Sequence, residues 1–138
     1  MVRGVHGCRR RWRWGDDAPV AVSLPRPVTE AVAERVGRRL DVLAHPVRIR
    51  LVDALDRGGE VSVSQLARQV GVSVYDASQH LALLRRAGVV AARRQGRSRC
   101  YHLQDHSVLS VYEQVADRLR EQISQARSQF ADEDKEPE

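Results

Sequence analysis

The sequence predicts a mainly helical domain that contains one small β-hairpin and ends in a long helix. Apolar residues recur at spacings of three and four over most of residues 28–130, as they do along one face of an amphipathic helix. Two strand-like runs flank Gln95-Gly96-Arg97 and interrupt that spacing once. We therefore expect four helices, a hairpin and a fifth helix, in that order, within a domain that spans residues 27–130.

The first two predicted helices meet at His45-Pro46. Valines and leucines repeat from Val28 to Leu43 and predict a helix over about residues 28–44. Because proline is favoured in the first turn of a helix, Pro46 begins the second helix, and Gly58-Gly59 ends it.

The third and fourth predicted helices are joined by a short turn at Gly71. Ser62 and Gln65 have the spacing of a capping box, in which the serine oxygen accepts a backbone N–H and the glutamine reaches back. Ser73 and Asp76 repeat that spacing and open a helix that ends near Gly88. Two helices joined in this way are typical of a helix-turn-helix.

The hairpin and the last helix complete the predicted domain. Residues 89–94 and 98–103 predict its two strands, and Asp105 is expected to cap the helix that follows. Since nothing else in the chain is left to cover the apolar stripe of that helix, we expect it to form a dimer interface with the first helix. The candidate interface residues lie on these two helices: Val32, Val36, Val108, Tyr112, Val115, Leu119 and Ile123.

Both ends of the chain differ from this pattern. Residues 1–26 carry five arginines before Asp16, together with Trp12 and Trp14, and are interpreted as a basic arm. The arm either is disordered, results from a start codon placed too early, or touches DNA. Residues 131–138, with five acids and one lysine, are expected to form a disordered acidic tail.

Length and composition exclude several classes of protein. A chain of 138 residues accommodates one domain, and no apolar run is long enough for a membrane span. The two cysteines, Cys8 and Cys100, have no nearby partner in sequence, which excludes a disulfide scaffold. With no secretory signal, the expected location is the cytoplasm.

The charge of the chain favours a polyanionic partner. Lys and Arg number 23 against 18 Asp and Glu, which gives a net charge of +5. Between Ala77 and Gln104 there is no acidic residue, although this stretch holds six arginines. A basic block inside a folded region indicates either a nucleic-acid surface or a solvated arginine-rich face.

The fourth helix has the distribution of polar residues expected of a helix that reads the major groove. Its inner stripe is Val74, Ala77, Leu81 and Leu84. Short polar side chains point the other way near its start, and glutamine can pair with adenine through two hydrogen bonds. His80 is expected to pack with its polar atoms satisfied, and Asp76 to assist the cap. The predicted DNA-binding residues lie on this helix and the hairpin: Tyr75, Ser78, Gln79, Arg86, Arg93, Arg94, Arg97 and Arg99.

Three segments together resemble the ArsR/SmtB family of winged helix-turn-helix repressors. They are LDVLAHPVRIRLVDAL, VSVSQLARQVGVSVYDASQHLALLRRAGVV and the hairpin RRQGRSRCYHL, and the resemblance covers about residues 28–127. It implies a homodimer that binds a double-stranded DNA operator with two half-sites about one helical turn apart. It also implies a repressor that an effector, often a metal ion, releases from DNA.

The sequence departs from the metal-binding patterns that the resemblance brings with it. Where many members have Cys-Val-Cys-Asp-Leu, this chain has serines and a glutamine over residues 62–66, and serine is a poor ligand for soft metals. The pattern of the family's second zinc site falls on Asp105, Ser107, Arg118 and Glu121, which lacks both imidazoles. We therefore expect no cofactor and no metal at these positions. The repressor is then either constitutive or released by an effector, for which an organic ligand between the dimer helices and the core is favoured.

Three alternatives remain open. A metal- or redox-responsive repressor would use Cys100, His102 and His106, or Cys8, because thiolate and imidazole suit zinc or nickel. A protein- or RNA-binding module on the same fold would not need the polar helix face. An enzyme is not expected, since the sequence has no phosphate-binding glycine loop and no nucleophile or metalloprotease motif.

Overall fold

The computed structural model describes residues 24–133, and the chain divides after Asp105 into two compact units. The described part contains five helices and three strands. The helices are α1 (Glu30–Leu43), α2 (Pro46–Gly58), α3 (Val63–Val70), α4 (Val74–Arg86) and α5 (Ser107–Glu133). The strands are β1 (Glu60–Ser62), β2 (Val90–Gln95) and β3 (Ser98–Leu103). The predicted elements are therefore present, in the predicted order, with one additional strand.

The helices begin where their capping residues predict. Ser62 and Gln65 form both hydrogen bonds of the capping box at the start of α3. The side chain of Ser73 accepts the backbone N–H of Asp76 at 3.0 Å and so begins α4. Between these helices Gly71 has a φ of 76°, in the left-handed region that favours glycine. This turn fixes the angle at which α4 leaves α3.

The three strands form one antiparallel sheet in the order β1-β3-β2. Gly96 and Arg97 connect β2 to β3, and only Gly96, with a φ of 60°, lies in the left-handed region, as in a type II′ turn. The sequence predicts β2 and β3 but not β1. A strand of three residues carries no alternation of its own, and β1 is defined by its pairing with β3.

The hydrophobic core of the first unit lies between α2, α3, α4 and the sheet. Its largest side chains have essentially no exposed surface: Leu51, Leu55, Leu66, Leu81 and Leu84. The inner stripe of α4 therefore anchors that helix, as predicted for Ala77, Leu81 and Leu84. Val74 was expected to belong to this stripe, but it is 49% exposed because it is the first residue of the helix.

Helix α5, taken by itself, carries a row of exposed apolar side chains. Val115, Leu119 and Ile123 each expose more than half of their surface, and Phe130 exposes 69%. Val108 differs from the other candidate interface residues of this helix because it is buried. Among the helices of residues 24–133, none combines the length and the apolar character needed to cross a membrane.

Some of the predictions fall on residues that the structure does not describe. Almost all of the basic arm, including Cys8, precedes residue 24, and most of the acidic tail follows residue 133. The interpretation of both segments stays a prediction.

Candidate nucleic-acid interface

The outward face of α4 presents the side chains that sequence reasoning assigned to DNA. Tyr75 is 71% exposed, and Gln79 and Arg86 are also exposed. Ser78 is half-buried, because it lines a cleft beside the sheet. The buried inner stripe and the N-terminal cap hold this face in a fixed orientation, with short polar groups near the start of the helix and arginines at its end.

The hairpin separates its arginines onto two faces. Directly opposite residues of an antiparallel pair share a face, and successive residues alternate. Arg94 lies opposite Arg99, so both are on the face of Tyr101. Arg93 lies opposite Cys100, on the other face, and Arg97 is at the turn. The four hairpin arginines therefore do not form one continuous surface.

Arg93 is held by a buried carboxylate on β1. Its Nε donates to Oε1 of Glu60 and its Nη2 donates to Oε2 at 2.8 Å, while only 2% of the Glu60 side chain is exposed. The hydrogen bonding that Arg93 donates to the Glu60 carboxylate raises the pKa of Arg93, so its charge is further secured. Sequence reasoning placed Arg93 at the DNA, and its observed partner lies 33 residues away, where no local pattern indicates it.

Arg39 connects α1 to the end of α4. Its Nη1 donates to the backbone carbonyl of Ala87 and its Nη2 donates to Asp105. Asp105 lies two residues before the start of α5 at Ser107, and its expected role as the cap of that helix stays a prediction. A guanidinium has several donors in a fixed plane, so Arg39 can satisfy a helix-end carbonyl and a carboxylate together.

His80 packs against His45 at the start of α2. The two ring centroids are 4.5 Å apart, and the His80 Nδ1 is buried without a hydrogen-bond partner within residues 24–133. The packing expected of His80 is present, but its polar atoms are not fully satisfied. Burial lowers the pKa of His80, and His45 and Arg48 lower it further, against an opposing effect of Asp76.

Within the described part of the chain, the fold does not bring the candidate metal ligands together into a cluster. Within that part of the chain, no three His, Cys, Asp or Glu side chains are placed to hold a metal ion, a finding that covers Cys100, His102 and His106. Cys100 is buried and faces away from solvent. The two carboxylates at the family's zinc positions each accept a hydrogen bond from an arginine. Asp105 accepts from Arg39, and Glu121 accepts from Arg118 at 3.1 Å.

These elements define a class of protein, the winged helix-turn-helix proteins. Helices α3 and α4 form the helix-turn-helix, and β2 and β3 form the wing, a hairpin that follows the recognition helix. The profile of a family described as "Helix-turn-helix domain" matches residues 43–93, which include α3, α4 and the first part of β2.

Similar proteins identify the family. The chain is 39% identical over 89 residues to a transcriptional repressor SmtB homolog from Synechocystis sp., an alignment that covers 64% of this chain and 67% of that protein. The crystal structure of the antimony-specific repressor AntR matches with a TM-score of 0.62 and 32% identity, over 76% of this chain and 99% of that one. The solution structure of the homodimeric winged helix-turn-helix domain of Mb0332 from Mycobacterium bovis matches with a TM-score of 0.60 and 26% identity, over 73% and 95%.

The chain belongs to the ArsR/SmtB family of transcriptional regulators. Proteins of this family bind DNA and are not enzymes, and the relatives compared above include transcriptional repressors.

Proposed function

We propose that this chain is a homodimeric repressor that binds a specific operator in double-stranded DNA. The observation that carries the proposal is the division of α4 into two faces. Ala77, Leu81 and Leu84 are completely buried, whereas Tyr75 and Gln79 are exposed on the opposite side. A helix held firmly by its inner face can present its outer face to base edges in the major groove.

The proposed DNA-binding residues have different tasks. Gln79 and Ser78 read base edges, and Tyr75 contacts a phosphate or a thymine methyl group. Arg86, Arg94, Arg97 and Arg99 contact phosphates, which sets affinity and register rather than sequence. Arg93 holds the wing through Glu60 and contributes to DNA binding indirectly.

The proposed dimer uses the exposed apolar side chains of α1 and α5. Val36 on α1 and Val115, Leu119 and Ile123 on α5 are more exposed than large apolar side chains normally are in a stable monomer. The homodimeric state of the Mb0332 domain supports a second copy of this chain as the partner. Val32 and Tyr112, which are half-buried, complete the proposed interface, while Val108 is buried and is left out of it.

We further propose that an organic effector releases the repressor from DNA, through a site other than the two metal positions of the family. Serines replace the thiolates over residues 62–66, and the carboxylates of Asp105 and Glu121 accept hydrogen bonds from arginines. An oxygen ligand that already neutralises a guanidinium is a weaker ligand for zinc.

Fluorescence anisotropy on operator and random duplexes tests this function. The operator is a duplex selected by the protein from a random pool, and salt is held constant because phosphate contacts depend on it. Gln79→Ala should weaken operator binding by about 1–3 kcal/mol and leave binding to random DNA nearly unchanged, since it removes a contact to one base. Gln122→Ala, on α5, is the matched control and should alter neither.

The outcomes separate the parts of the proposal. An equal loss on both duplexes would show that Gln79 does not read bases, and a wild-type chain with no preference for any duplex would overturn the repressor function. The operator complex is then titrated with zinc. It should remain intact, and release at micromolar zinc would instead assign the effector to a metal.

A further inference from the structure

A cleft of about 460 Å³ opens between α4, strand β3 and the first residue of α3. Ser78, Arg85 and Arg86 line it from α4, and Arg99 and Tyr101 from β3, while Val63 closes the side at α3. Its volume falls in the range of small-molecule sites, about 300–1,000 Å³, and exceeds what one bound water or ion needs.

Among the described residues, no carboxylate neutralises the positive charge that the cleft concentrates. Arg85, Arg86 and Arg99 form no ion pair among residues 24–133, whereas Arg39, Arg57, Arg93, Arg118 and Arg120 each pair with a carboxylate there. Arg94, opposite Arg99 in the sheet, adds a fourth guanidinium on the same face. Like charges that converge from two elements repel one another, and a bound anion would relieve that repulsion.

The remaining walls of the cleft combine rigidity with hydrogen-bonding capacity. Tyr101 is 3% exposed and is fixed by the core, and Ala82 adds an apolar surface. The hydroxyl of Ser78 can donate to an anion that the arginines hold. Guanidinium groups bind phosphate through paired N–H donors, and they do so more strongly beside apolar walls that exclude water.

We propose that this cleft binds a phosphate group, and that a free phosphate monoester seated there competes with the DNA backbone. Arg99 and Arg85 hold the phosphate from opposite sides, and the organic part of the ester rests on Ala82 and Tyr101. The inference rests on the proposed DNA-binding function, because the cleft lies between the recognition helix and the wing. Operator affinity would then depend on the concentration of a phosphorylated small molecule.

Direct binding to the full chain without DNA is the first test, with phenyl phosphate as the probe. Isothermal titration calorimetry at constant ionic strength should detect binding to the wild-type chain. Arg85→Gln and Arg99→Gln should each weaken it at least about tenfold, since each removes hydrogen bonds to a charged group. Arg97→Gln removes the same charge from the same wing but outside the cleft, and should change binding less than about twofold.

Competition with operator DNA is the second test. Phenyl phosphate should raise the concentration of protein needed for half-saturation more than chloride of equal ionic strength does. If wild-type protein binds operator but not the probe, and Arg85→Gln lowers the salt slope, the cleft takes only DNA phosphate and the competition is overturned. If the slope is also unchanged, the cleft binds no phosphate. A failure of operator binding would overturn the proposed function, while calorimetry would still decide whether the cleft binds the probe.

Discussion

The charge state of His80 depends on its surroundings. It faces His45 at a centroid distance of 4.5 Å, with Arg48 from α2 and Asp76 from its own helix as the other charged neighbours. Burial, His45 and Arg48 all favour the neutral imidazole, and they outweigh Asp76, so the pKa of His80 lies below its ordinary 6.5. Because His80 belongs to the recognition helix, its protonation bears on the element proposed to read DNA.

Stability should therefore fall on acidification below pH 6.5, the ordinary pKa of the unfolded chain. In that range His80 binds a proton in the unfolded chain while it is still neutral in the folded chain. The contribution of neutral His80 to the free energy of unfolding is therefore fully present above pH 6.5 and is lost progressively below it. Thermal unfolding followed by circular dichroism between pH 8 and pH 5 measures the loss. His80→Gln should have a flatter acid dependence, whereas His102→Gln, on β3, should retain it; parallel curves for wild type and His80→Gln would contradict this account.

At the scale of elements, the wing depends on an ion pair formed across the sheet. Glu60 on β1 is buried, and Arg93 on β2 reaches across β3 to donate two hydrogen bonds to its carboxylate. A bidentate arginine–carboxylate pair fixes geometry as well as charge. The pair therefore ties both outer strands together, and Arg97, at the turn, takes no part in it.

Two alanine variants should separate support of the wing from DNA contact. Arg93→Ala removes the two hydrogen bonds donated to a buried carboxylate and should lower the unfolding temperature clearly, whereas exposed Arg97→Ala should shift it by no more than about 2–3 °C. Arg97→Ala should weaken binding to all duplexes and should reduce the dependence of DNA affinity on salt concentration by about one ion. Salt-dependent anisotropy and thermal unfolding of both variants check this; a stable Arg93→Ala protein with a reduced slope would return Arg93 to the DNA surface.

Local patterns predict the elements of this fold but not the contacts that join them. Capping residues, a proline and glycines occur within a few residues of the termini they define, so the starts of α2, α3 and α4 follow from sequence. The exposed position of Gln79 follows from helical periodicity in the same way. The Arg93–Glu60 and Arg39–Asp105 pairs join residues 33 and 66 positions apart, and only tertiary structure brings them together. Strand β1 was not predicted for the same reason: it is defined by its pairing with β3, which is distant in sequence.

The molecule exposes many large apolar side chains that its core does not bury. On α5 these side chains follow one face of the helix. Val115, Leu119, Ile123 and Phe130 recur at spacings of four, four and seven, so they form a continuous stripe. Burying such a stripe against a second copy of the chain would produce a dimer with two recognition helices. Two linked helices can occupy two operator half-sites, and linkage raises the affinity beyond that of either alone.

A charge placed in the middle of this stripe should dissociate the dimer and weaken operator binding together. Leu119→Glu appears twice in a twofold interface, so two unpaired carboxylates would be buried, and the dimer dissociation constant should rise at least about a hundredfold. Ser128→Glu adds the same charge nine residues later, on the opposite side of the helix. It is the matched control and should remain dimeric.

Sedimentation equilibrium distinguishes these outcomes. The wild-type chain and Ser128→Glu should sediment at twice the chain mass of 15.6 kDa, and Leu119→Glu close to that single mass. If Leu119→Glu dissociates yet binds the operator as tightly as wild type, one recognition helix suffices and the two half-sites are not linked through α5. If it stays dimeric with unchanged affinity, the interface lies elsewhere on the chain, and the exposed stripe of α5 requires a different partner.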